Sequence, residues 1–466
     1  MEPYRDPMEE RKQNREKVKQ ARLHQQKMTL IRLGIALGVL VACGVLILVL
    51  TLRSGAGKPS GTTAPDTTQL SGTVSDPTGG TGTGPTLDPG TTPPDGTSLQ
   101  DGTGEATEGT TPSAQPGEKA VIHIASVGDL NITDRVVASG GDNFDYTATF
   151  MDVMPLLTDA DITTVNLEGN FYGAPYGTLN ASAPHQLLTA LSNAGIDLIQ
   201  VANSYAIKNG ISGLVSTLQY IQASGLEAMG AYESNGEFNR TGGYTIRTVN
   251  GVKVAFVAFT KGMDGMALPK DSEKCVNLLY TDYSATYQKI DTARITKILD
   301  AAKREKPDIL IALLHWGSEY NDIHSKSQEK IKELLLEEGV DAIIGTHPHY
   351  VQQIEYDPTA GTLVAYSLGD FISDAVKGGT EYSIVLDMEI TKDLETGETK
   401  ITGYSYTPIF TISDEENLRV VRLETAMAAY ERHHIARVSQ QTYEDMQYAR
   451  DRIAARVVPP EPEEEA

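Results

Sequence analysis

Hydrophobic residues are distributed along the chain in three different ways. Residues 33–52 form an apolar run without a charge, long enough to cross a bilayer core about 30 Å thick. Residues 53–118 consist mainly of Gly, Thr, Ser, Pro and Asp and contain no aromatic side chain. From residue 119 to residue 456, short apolar runs alternate with segments of helical periodicity. The pattern predicts an anchor, a linker and one large folded domain.

The charges beside the apolar run predict its orientation. Residues 1–32 carry nine Lys and Arg against five acidic residues, and only Arg53 and Lys58 follow closely after the run. The positive-inside rule therefore places residues 1–32 in the cytoplasm and the large domain outside the cell. A cleaved signal peptide is the alternative, but both the apolar run and the polar segment before it are longer than such peptides usually have. We expect a single-pass protein of the cell membrane with an uncleaved signal anchor.

Composition limits the remaining regions and the possible partners. Residues 53–118 have too few apolar side chains to form a core, so we expect a disordered linker with a mean reach of roughly 45 Å. The formal net charge of −23 excludes a protein that coats nucleic acid, because phosphate backbones require a basic surface. Two cysteines exclude a disulfide framework. Residues 457–466 read as an acidic tail.

The domain at 119–456 has the pattern of a layered α/β fold. Apolar, β-rich runs alternate with helical periodicity at 184–194, 214–224, 287–303 and 327–338, which favours largely parallel strands. Asn250-Gly251 between two such runs predicts a tight hairpin. Further hairpin turns at 359–361 and 395–398 indicate a mixed sheet, and 418–456 reads as mostly helical.

Polar residues follow the apolar runs at the points where the predicted strands end. Open α/β sheets build their sites at these carboxyl ends. The residues in these positions are Asp129, Asn166, Glu168, Asn203, His315, His347, His349 and Asp370. They supply oxygen and imidazole donors without a thiolate, so we predict a site for divalent metal ions, up to two, with Mn, Zn or Fe as the metal.

The segment His347-Pro348-His349 is the sharpest single motif. Proline favours a loop over a regular strand here, and in a loop both imidazoles can converge on one centre. Two metal ions about 3.5–4 Å apart bind water and clamp a phosphoryl oxygen, and an unliganded histidine then protonates the leaving group. Taken singly, each of these residues also has a structural reading, for example as a helix cap, a core histidine or a turn residue.

These motifs resemble the bacterial CapA family of poly-γ-glutamate and capsule synthesis, a branch of the calcineurin-like metallophosphoesterase superfamily. The resemblance covers most of residues 121–414. The segments that carry it are Gly128-Asp129, 144–155, Asn166-Leu167-Glu168-Gly169, Ala202-Asn203, His315-Trp316-Gly317-Ser318-Glu319-Tyr320, Gly345-Thr346-His347-Pro348-His349 and Tyr366-Ser367-Leu368-Gly369-Asp370-Phe371.

The resemblance implies a fold, a cellular location and a set of site residues. The fold is a four-layer α/β/β/α sandwich, and the domain lies outside the cell on a membrane anchor. Trp316 and Glu319 belong to the pocket, and Asn203 stands in the segment that contributes amide ligands. The implied metal-site residues are Asp129, Glu168, His315, His347 and His349, with Asn166 beside them.

The chain departs from the family pattern at three positions. Ser204 and Tyr205 stand where the family usually has Asn and His, so a ligand amide becomes a hydroxyl and the expected general acid becomes a tyrosine. A phenol with an ordinary pKa near 10 is a poor acid for most leaving groups. Asp370 stands where the family usually has Asn, which adds a carboxylate. We therefore expect Tyr205 and Asp370 to decide whether the site is catalytic.

Three functional hypotheses follow. The first is a metal-dependent hydrolase or phosphoesterase acting on a cell-envelope polymer or a phosphodiester. The second is a non-catalytic relative that binds a polymer, with a degenerate metal site. The third is a scaffold whose basic segment 1–32 recruits a synthase complex to the membrane. All three place the protein in the biosynthesis of a capsule or another cell-surface polymer, of which poly-γ-glutamate is one example.

Overall fold

The structure is a computed structural model that describes residues 118–414, 418–433 and 438–458. The predicted cytoplasmic segment and anchor, nearly all of the linker and residues 459–466 of the predicted tail lie outside these ranges. No helix within the described ranges is both long and apolar enough to span a membrane.

Strands and helices alternate through the described ranges. The strands are β1 (Lys119–Asn131), β2 (Ile162–Glu168), β3 (Leu198–Gln200), β4 (Glu227–Met229), β5 (Tyr244–Val249), β6 (Val252–Thr260), β7 (Ile309–His315), β8 (Ala342–Thr346), β9 (Ile354–Asp357), β10 (Thr362–Ala365), β11 (Asp370–Ile372), β12 (Tyr382–Asp393), β13 (Thr399–Ser413) and β14 (Leu418–Arg422). The helices are α1 (Asp134–Ala138), α2 (Thr147–Phe150), α3 (Met154–Asp159), α4 (Gln186–Ala194), α5 (Gly210–Ala223), α6 (Asn235–Thr241), α7 (Thr292–Arg304), α8 (Lys326–Glu337), α9 (Leu423–Glu431) and α10 (Gln440–Val457).

The described strands form two mixed sheets. The first sheet has the order β14-β13-β12-β1-β2-β3-β4, and β11 pairs with β1 outside this order. The second sheet has the order β5-β6-β7-β8-β10-β9. In both sheets the central neighbours β1–β2 and β6–β7–β8 are parallel, whereas β12–β13 and β5–β6 are antiparallel. The predicted mixed α/β fold is confirmed.

The buried apolar side chains point to opposite faces of the two sheets and form three clusters. Ile124 of β1 and Phe256 of β6 meet in the cluster between the two sheets. Val165 of β2 packs with helices α4 and α5 on the outer face of the first sheet. Leu310 of β7 packs with α7 and α8 on the outer face of the second sheet. Because adjacent residues of a strand point to opposite faces, this arrangement stacks helices, sheet, sheet and helices in that order.

Some element boundaries differ from the sequence predictions. The helix predicted from residue 214 begins four residues earlier, at Gly210. Segment 418–456 is mostly helical, as predicted, but residues 418–422 form the strand β14, whose buried side chains alternate between two clusters as a strand requires. The helix predicted from residue 287 begins at Thr292, because the side chain of Asp291 caps it by accepting from the N–H of Arg294. The Asn250-Gly251 hairpin is confirmed: both residues have positive φ between the antiparallel β5 and β6.

Candidate metal centre

Three neighbouring strands of the first sheet place polar side chains next to one another. Asp129 of β1 is in register with Asn166 of β2 on one side and with Asp370 of β11 on the other. The Asn166 amide Nδ2 donates to Asp129 Oδ1 over 2.6 Å. All three side chains are buried. Parallel pairing therefore builds the acidic half of the site, as the positions after the predicted strands indicated.

A close approach of two backbones makes this arrangement possible. The Asp129 N–H donates to the Gly369 carbonyl over 3.0 Å. A Cβ at Gly128 would lie 1.7 Å from the Gly369 oxygen, so only glycine fits there. Gly369 itself has a φ of 81°, which favours glycine. These two glycines hold Asp370 beside Asp129.

Glu168 and Asn203 lie at the ends of the next two strands. Glu168 ends β2, and Asn203 follows β3. The Asn203 amide donates to Asn166 Oδ1, at 3.2 Å, and its oxygen accepts from the Tyr205 N–H, at 2.9 Å. The side-chain amide of Asn203 is thus occupied by hydrogen bonds that hold Asn166 and the 203–205 turn. Glu168, by contrast, faces the histidines.

The second sheet supplies three imidazoles. His315 ends β7, and His347 and His349 follow β8, its parallel neighbour. The ring centroids of His315 and His347 lie 4.5 Å apart, and those of His347 and His349 lie 6.1 Å apart. The convergence expected of the His-Pro-His loop is therefore present in the structure.

The loop that carries His347 and His349 has an uncommon backbone. The two histidines have φ values of 92° and 59°, a region that residues other than glycine seldom occupy. The His347 N–H donates to Asp129 Oδ2 over 3.0 Å, which ties the loop to the first sheet. The carboxylate of one sheet thus holds the imidazole loop of the other.

Direct contacts join the imidazoles to the first sheet. His349 Nδ1 lies 2.7 Å from Asp370 Oδ1 and 3.7 Å from Asp129 Oδ2. His315 Nε2 lies 3.0 Å from the Ser204 hydroxyl. It also lies 3.2 Å from Glu168 Oε1, without the geometry of a hydrogen bond. Ser204 and Asp370, two of the departures from the family pattern, both contact a histidine of the site.

Three overlapping sets of side chains in the described ranges are placed to hold a metal ion. In each set, one ligand atom per residue lies within 4.8 Å of the others. The sets are Glu168, His315 and His347 (the Glu168 group), Asp129, His349 and Asp370 (the Asp129 group), and Glu319, His347 and His349. The clustered residues support the expectation of divalent metal binding.

The state of two histidines fits a metal. Both ring nitrogens of His347 are buried without a hydrogen-bond partner, and so is Glu168 Oε1. Burial lowers the pKa of His315 and of His347 well below the usual value, helped by the charges of neighbouring residues that include Lys261 and His349. Both rings are therefore neutral at pH 7, the form in which imidazole binds a metal. An unpartnered buried donor set costs free energy unless a ligand satisfies it.

The carboxylates show the opposite effect. Burial raises the pKa of Asp129 to about 6, with the negative charge of Asp370 adding to it. Burial also raises the pKa of Glu168 well above its usual value, reinforced by Asp129. Burial by itself lowers the pKa of His349, but the charges of Asp370 and Glu168 outweigh it and leave that pKa well above 6.5. Crowded, buried carboxylates of this kind favour a cation in their midst.

Tyr205 faces the same centre. Burial raises its pKa to about 12, and the charges of Glu168 and Glu319 contribute to the shift. The phenol stays protonated at neutral pH but releases its proton less readily than an ordinary tyrosine. Such weak acidity does not suit the part of a general acid.

The two predicted pocket residues occupy different surroundings. Trp316 is fully buried; its indole N–H donates to the Tyr366 carbonyl over 2.9 Å, and its ring stacks on that of Tyr366. Trp316 thus supports the strand ends from behind. Glu319 is exposed on the loop after β7 and shares a metal set with His347 and His349.

Two residues beside the centre were not singled out from the sequence. Lys261 follows β6, and its backbone N–H donates to the His315 carbonyl over 2.8 Å. Tyr320 stacks on the ring of His349, with centroids 5.5 Å apart. Lys261 comes one residue after the apolar run 252–259, where polar site residues were expected. Tyr320 ends the His315–Tyr320 motif, but its residue type did not mark it as a site residue.

Comparison with known proteins agrees with the motifs. The family model described as bacterial capsule synthesis protein PGA_cap matches residues 123–375. The capsule biosynthesis protein CapA of Bacillus anthracis is 25% identical over 277 residues, 58% of this chain and 64% of that protein. The PGA biosynthesis protein CapA of Bacillus subtilis (strain 168) is 24% identical over 304 residues, 64% of this chain and 75% of that protein. The chain thus spans somewhat less than two thirds of the B. anthracis relative.

Solved structures give weaker likenesses. A calcineurin-like phosphoesterase of Bacillus subtilis is 16% identical, with a TM-score of 0.39, and the match covers 72% of this chain and all of that one. A phosphatase of Mycoplasma pneumoniae is 14% identical with a TM-score of 0.40, and the match covers 64% of this chain and 97% of that one. The sequence matches, and not these partial likenesses, decide the family.

Proposed function

Because the chain belongs to the family of the bacterial capsule synthesis protein PGA_cap, we propose that it takes part in the biosynthesis of a capsule or another cell-surface polymer. The relatives named CapA in two Bacillus species support this reading. Poly-γ-glutamate is one such polymer. We further propose that the domain acts through a metallophosphoesterase-type site.

One observation carries the proposed chemistry. His347 is buried among carboxylates and imidazoles, and neither of its ring nitrogens has a partner. The Glu168 group and the Asp129 group would hold the metal, with room for up to two divalent ions such as Mn, Zn or Fe. A bound metal of this kind supplies a nucleophilic water at neutral pH and stabilises charge on a phosphoryl oxygen.

The residues around these groups position them. Asn166 orients Asp129 by donating to its Oδ1. Asp370 Oδ1 lies 2.7 Å from His349 Nδ1 and so orients that ring. The Ser204 hydroxyl is within hydrogen-bond distance of His315 Nε2, so in this state it occupies a nitrogen that a metal would take. The expected consequence is a weaker site at His315 than an amide at position 204 would allow.

Hydrolysis of a generic phosphodiester tests the proposal. The full chain, loaded with Mn²⁺ or Zn²⁺, is expected to hydrolyse bis(4-nitrophenyl) phosphate. His347→Ala is expected to lose the metal of the Glu168 group and the activity. His324→Ala is the matched control, because His324 lies outside the three sets, where it stacks on Tyr366 and contacts Glu329. A metal-loaded protein without any hydrolysis contradicts the enzymatic reading.

Tyr205 favours a second function, a non-catalytic relative that binds polymer. A phenol with a pKa of about 12 replaces the histidine expected to protonate the leaving group. Polymer binding that persists in the double variant His347→Ala/His349→Ala would select this reading. Since the chain carries a net charge of −23, it repels a polyanion such as poly-γ-glutamate, so such binding should require metal or a local basic group.

Topology and partners form a separate part of the proposal. The apolar run 33–52 supports a single-pass anchor with the domain outside the cell, and the basic segment 1–32 supports recruitment of a synthase complex. Protease added to intact cells should digest the domain. Deletion of residues 1–27 should lower polymer production if the segment recruits the synthase, and unchanged production rejects that role.

A further inference from the structure

Lys261 stands at the same edge as the metal-site histidines. Thr260, the last residue of β6, is in register with His315 of the parallel strand β7. The N–H of Lys261 donates to the His315 carbonyl over 2.8 Å, so its backbone is fixed against that strand. Its charge acts on both His315 and His347. A cation therefore lies beside a centre built to bind cations.

The side chain is held in place. Lys261 Nζ donates to the Gly317 carbonyl over 2.9 Å and lies 4.9 Å from the centroid of the Tyr287 ring. The turn after it is fixed by Thr260, whose hydroxyl donates to the Gly262 carbonyl over 2.8 Å. A Cβ at Gly262 would lie 2.3 Å from the Tyr283 carbonyl, so the turn packs tightly. The ammonium group is thus preorganised.

The negative charge of Glu319 acts on Lys261, but the two residues do not form an ion pair. Among the described residues, no carboxylate oxygen lies within ion-pair distance of its Nζ, and the side chain is half-buried. An ammonium has three N–H donors, of which the Gly317 carbonyl takes one. A half-buried cation near divalent ions is unfavourable unless an anion lies between them.

We propose that Lys261 is a substrate-binding residue, which completes with the metal groups a subsite for a phosphoryl oxyanion. This inference rests on the proposed function and narrows the class of substrate. The substrate carries a phosphoryl group, and its oxygens accept hydrogen bonds from the two remaining N–H donors of Lys261. The chain has a net charge of −23, so its surface as a whole does not attract anions. A local positive group such as Lys261 is therefore needed to bind an anionic substrate.

Binding of inorganic phosphate to the metal-loaded full chain tests the subsite. Loss of a charged hydrogen-bond donor is expected to weaken phosphate binding in Lys261→Gln about 10- to 100-fold at unchanged metal content, whereas Lys261→Arg keeps most of the affinity. Lys208→Gln is the control: Lys208 is exposed, its Nζ lies 6.0 Å from the Tyr205 ring centroid, and its loss removes the same charge nearby. Lys208→Gln should bind phosphate as the wild type does.

Three results overturn the subsite: wild type that binds no phosphate, Lys261→Gln that binds like wild type, or an equal loss in Lys208→Gln. Lys261→Met keeps the aliphatic stem against Tyr287 and repeats the test should Lys261→Gln not fold. Metal content of the same samples separates the two proposals. A chain without metal contradicts the proposed function, and phosphate affinity of wild type against Lys261→Gln still decides the role of Lys261.

Discussion

The two sheets contribute different chemistry to one centre. The first sheet supplies carboxylates and amides from Asp129, Asn166, Glu168 and Asp370, whereas the second supplies the imidazoles of His315, His347 and His349. The Glu168 group and the Asp129 group each take members from both sheets. Neither sheet by itself completes either group, so a bound metal would join the two edges.

The difference extends to protonation. Burial raises the pKa of the carboxyl groups Asp129 and Glu168 on the first sheet and lowers the pKa of the imidazoles His315 and His347 on the second. In both cases burial favours the neutral form. The imidazoles are thereby ready to bind a metal at neutral pH, whereas the carboxyls must first lose protons.

The largest loss of metal affinity is expected when one imidazole of the second sheet is removed. His347→Ala deletes a ring whose nitrogens have no other partner, and metal affinity should fall more than about 100-fold, since even outer contacts of metal sites account for 10- to 100-fold. Metal at about 100 times the wild-type Kd should add about 2.7 kcal/mol to the free energy of unfolding of the wild type, and less than about 0.5 kcal/mol to that of the variant. Thermal unfolding with and without Mn²⁺ measures this, and an equal rise in both proteins refutes it.

Replacing Ser204 and Tyr205, which follow a strand of the first sheet, with the residues that the family usually has should raise the activity. The double variant Ser204→Asn/Tyr205→His supplies an amide near His315 and an imidazole with a pKa suited to proton transfer. Phosphodiester hydrolysis should rise about 100-fold, at the low end of what general acid catalysis contributes. Tyr205→Phe is the control and should match the wild type, because a phenol with a pKa of about 12 transfers few protons. A large loss of activity in Tyr205→Phe would show that the phenol itself takes part in the reaction.

The contact between Asp370 and His349 is expected to contribute less to metal affinity than the ring of His347 does. Asp370→Asn keeps the shape of the side chain but removes the charge that holds His349 Nδ1 at 2.7 Å. Metal affinity should fall about 10-fold, because a neutral amide is a weaker ligand in the Asp129 group and a weaker partner of His349. Asp374→Asn, in the segment after β11, is the matched control, because Asp374 is partly exposed and belongs to none of the three metal sets. Unchanged affinity in Asp370→Asn means that this carboxylate does not support the site.

The pH dependence of metal binding should give the smallest effect. The pKa of Asp129 is about 6, so the carboxyl is mostly ionised at pH 7.5 and mostly protonated at pH 5.5. Protons then compete with the metal, and affinity should fall several-fold as the pH decreases through 6. Titration with Mn²⁺ at pH 7.5, 6.5 and 5.5 tests the direction. An affinity that rises toward pH 5.5 contradicts the assigned role of Asp129.

Local patterns in the sequence were sufficient for part of this description. Asn250-Gly251 requires positive φ at two successive residues, so the hairpin was predictable. The positions of Asp129 and His315 near the carboxyl ends of their strands were predictable, because polar residues follow apolar runs of strand length. The strand at 418–422, within a segment that is mostly helical, was not predictable from its own residues, because it depends on pairing with β13 and short apolar runs fit either period.

Other features depend on pairing between distant segments. The alignment of Asp129 with Asp370 arises from β11, a strand of three residues, separated by more than 200 positions from its partner. Lys261 belongs to the site only because β6 lies beside β7 in register. Registers of this kind are set by the whole core, and no single segment contains them.

Metal content of the wild-type chain, purified without chelator and measured by elemental analysis, tests the central claim most directly. The two-sheet centre predicts tightly held divalent transition metal, at least one ion per chain, either as purified or after incubation with Mn²⁺ or Zn²⁺. A chain that holds no metal under either condition contradicts the claim and leaves the polymer-binding reading in its place.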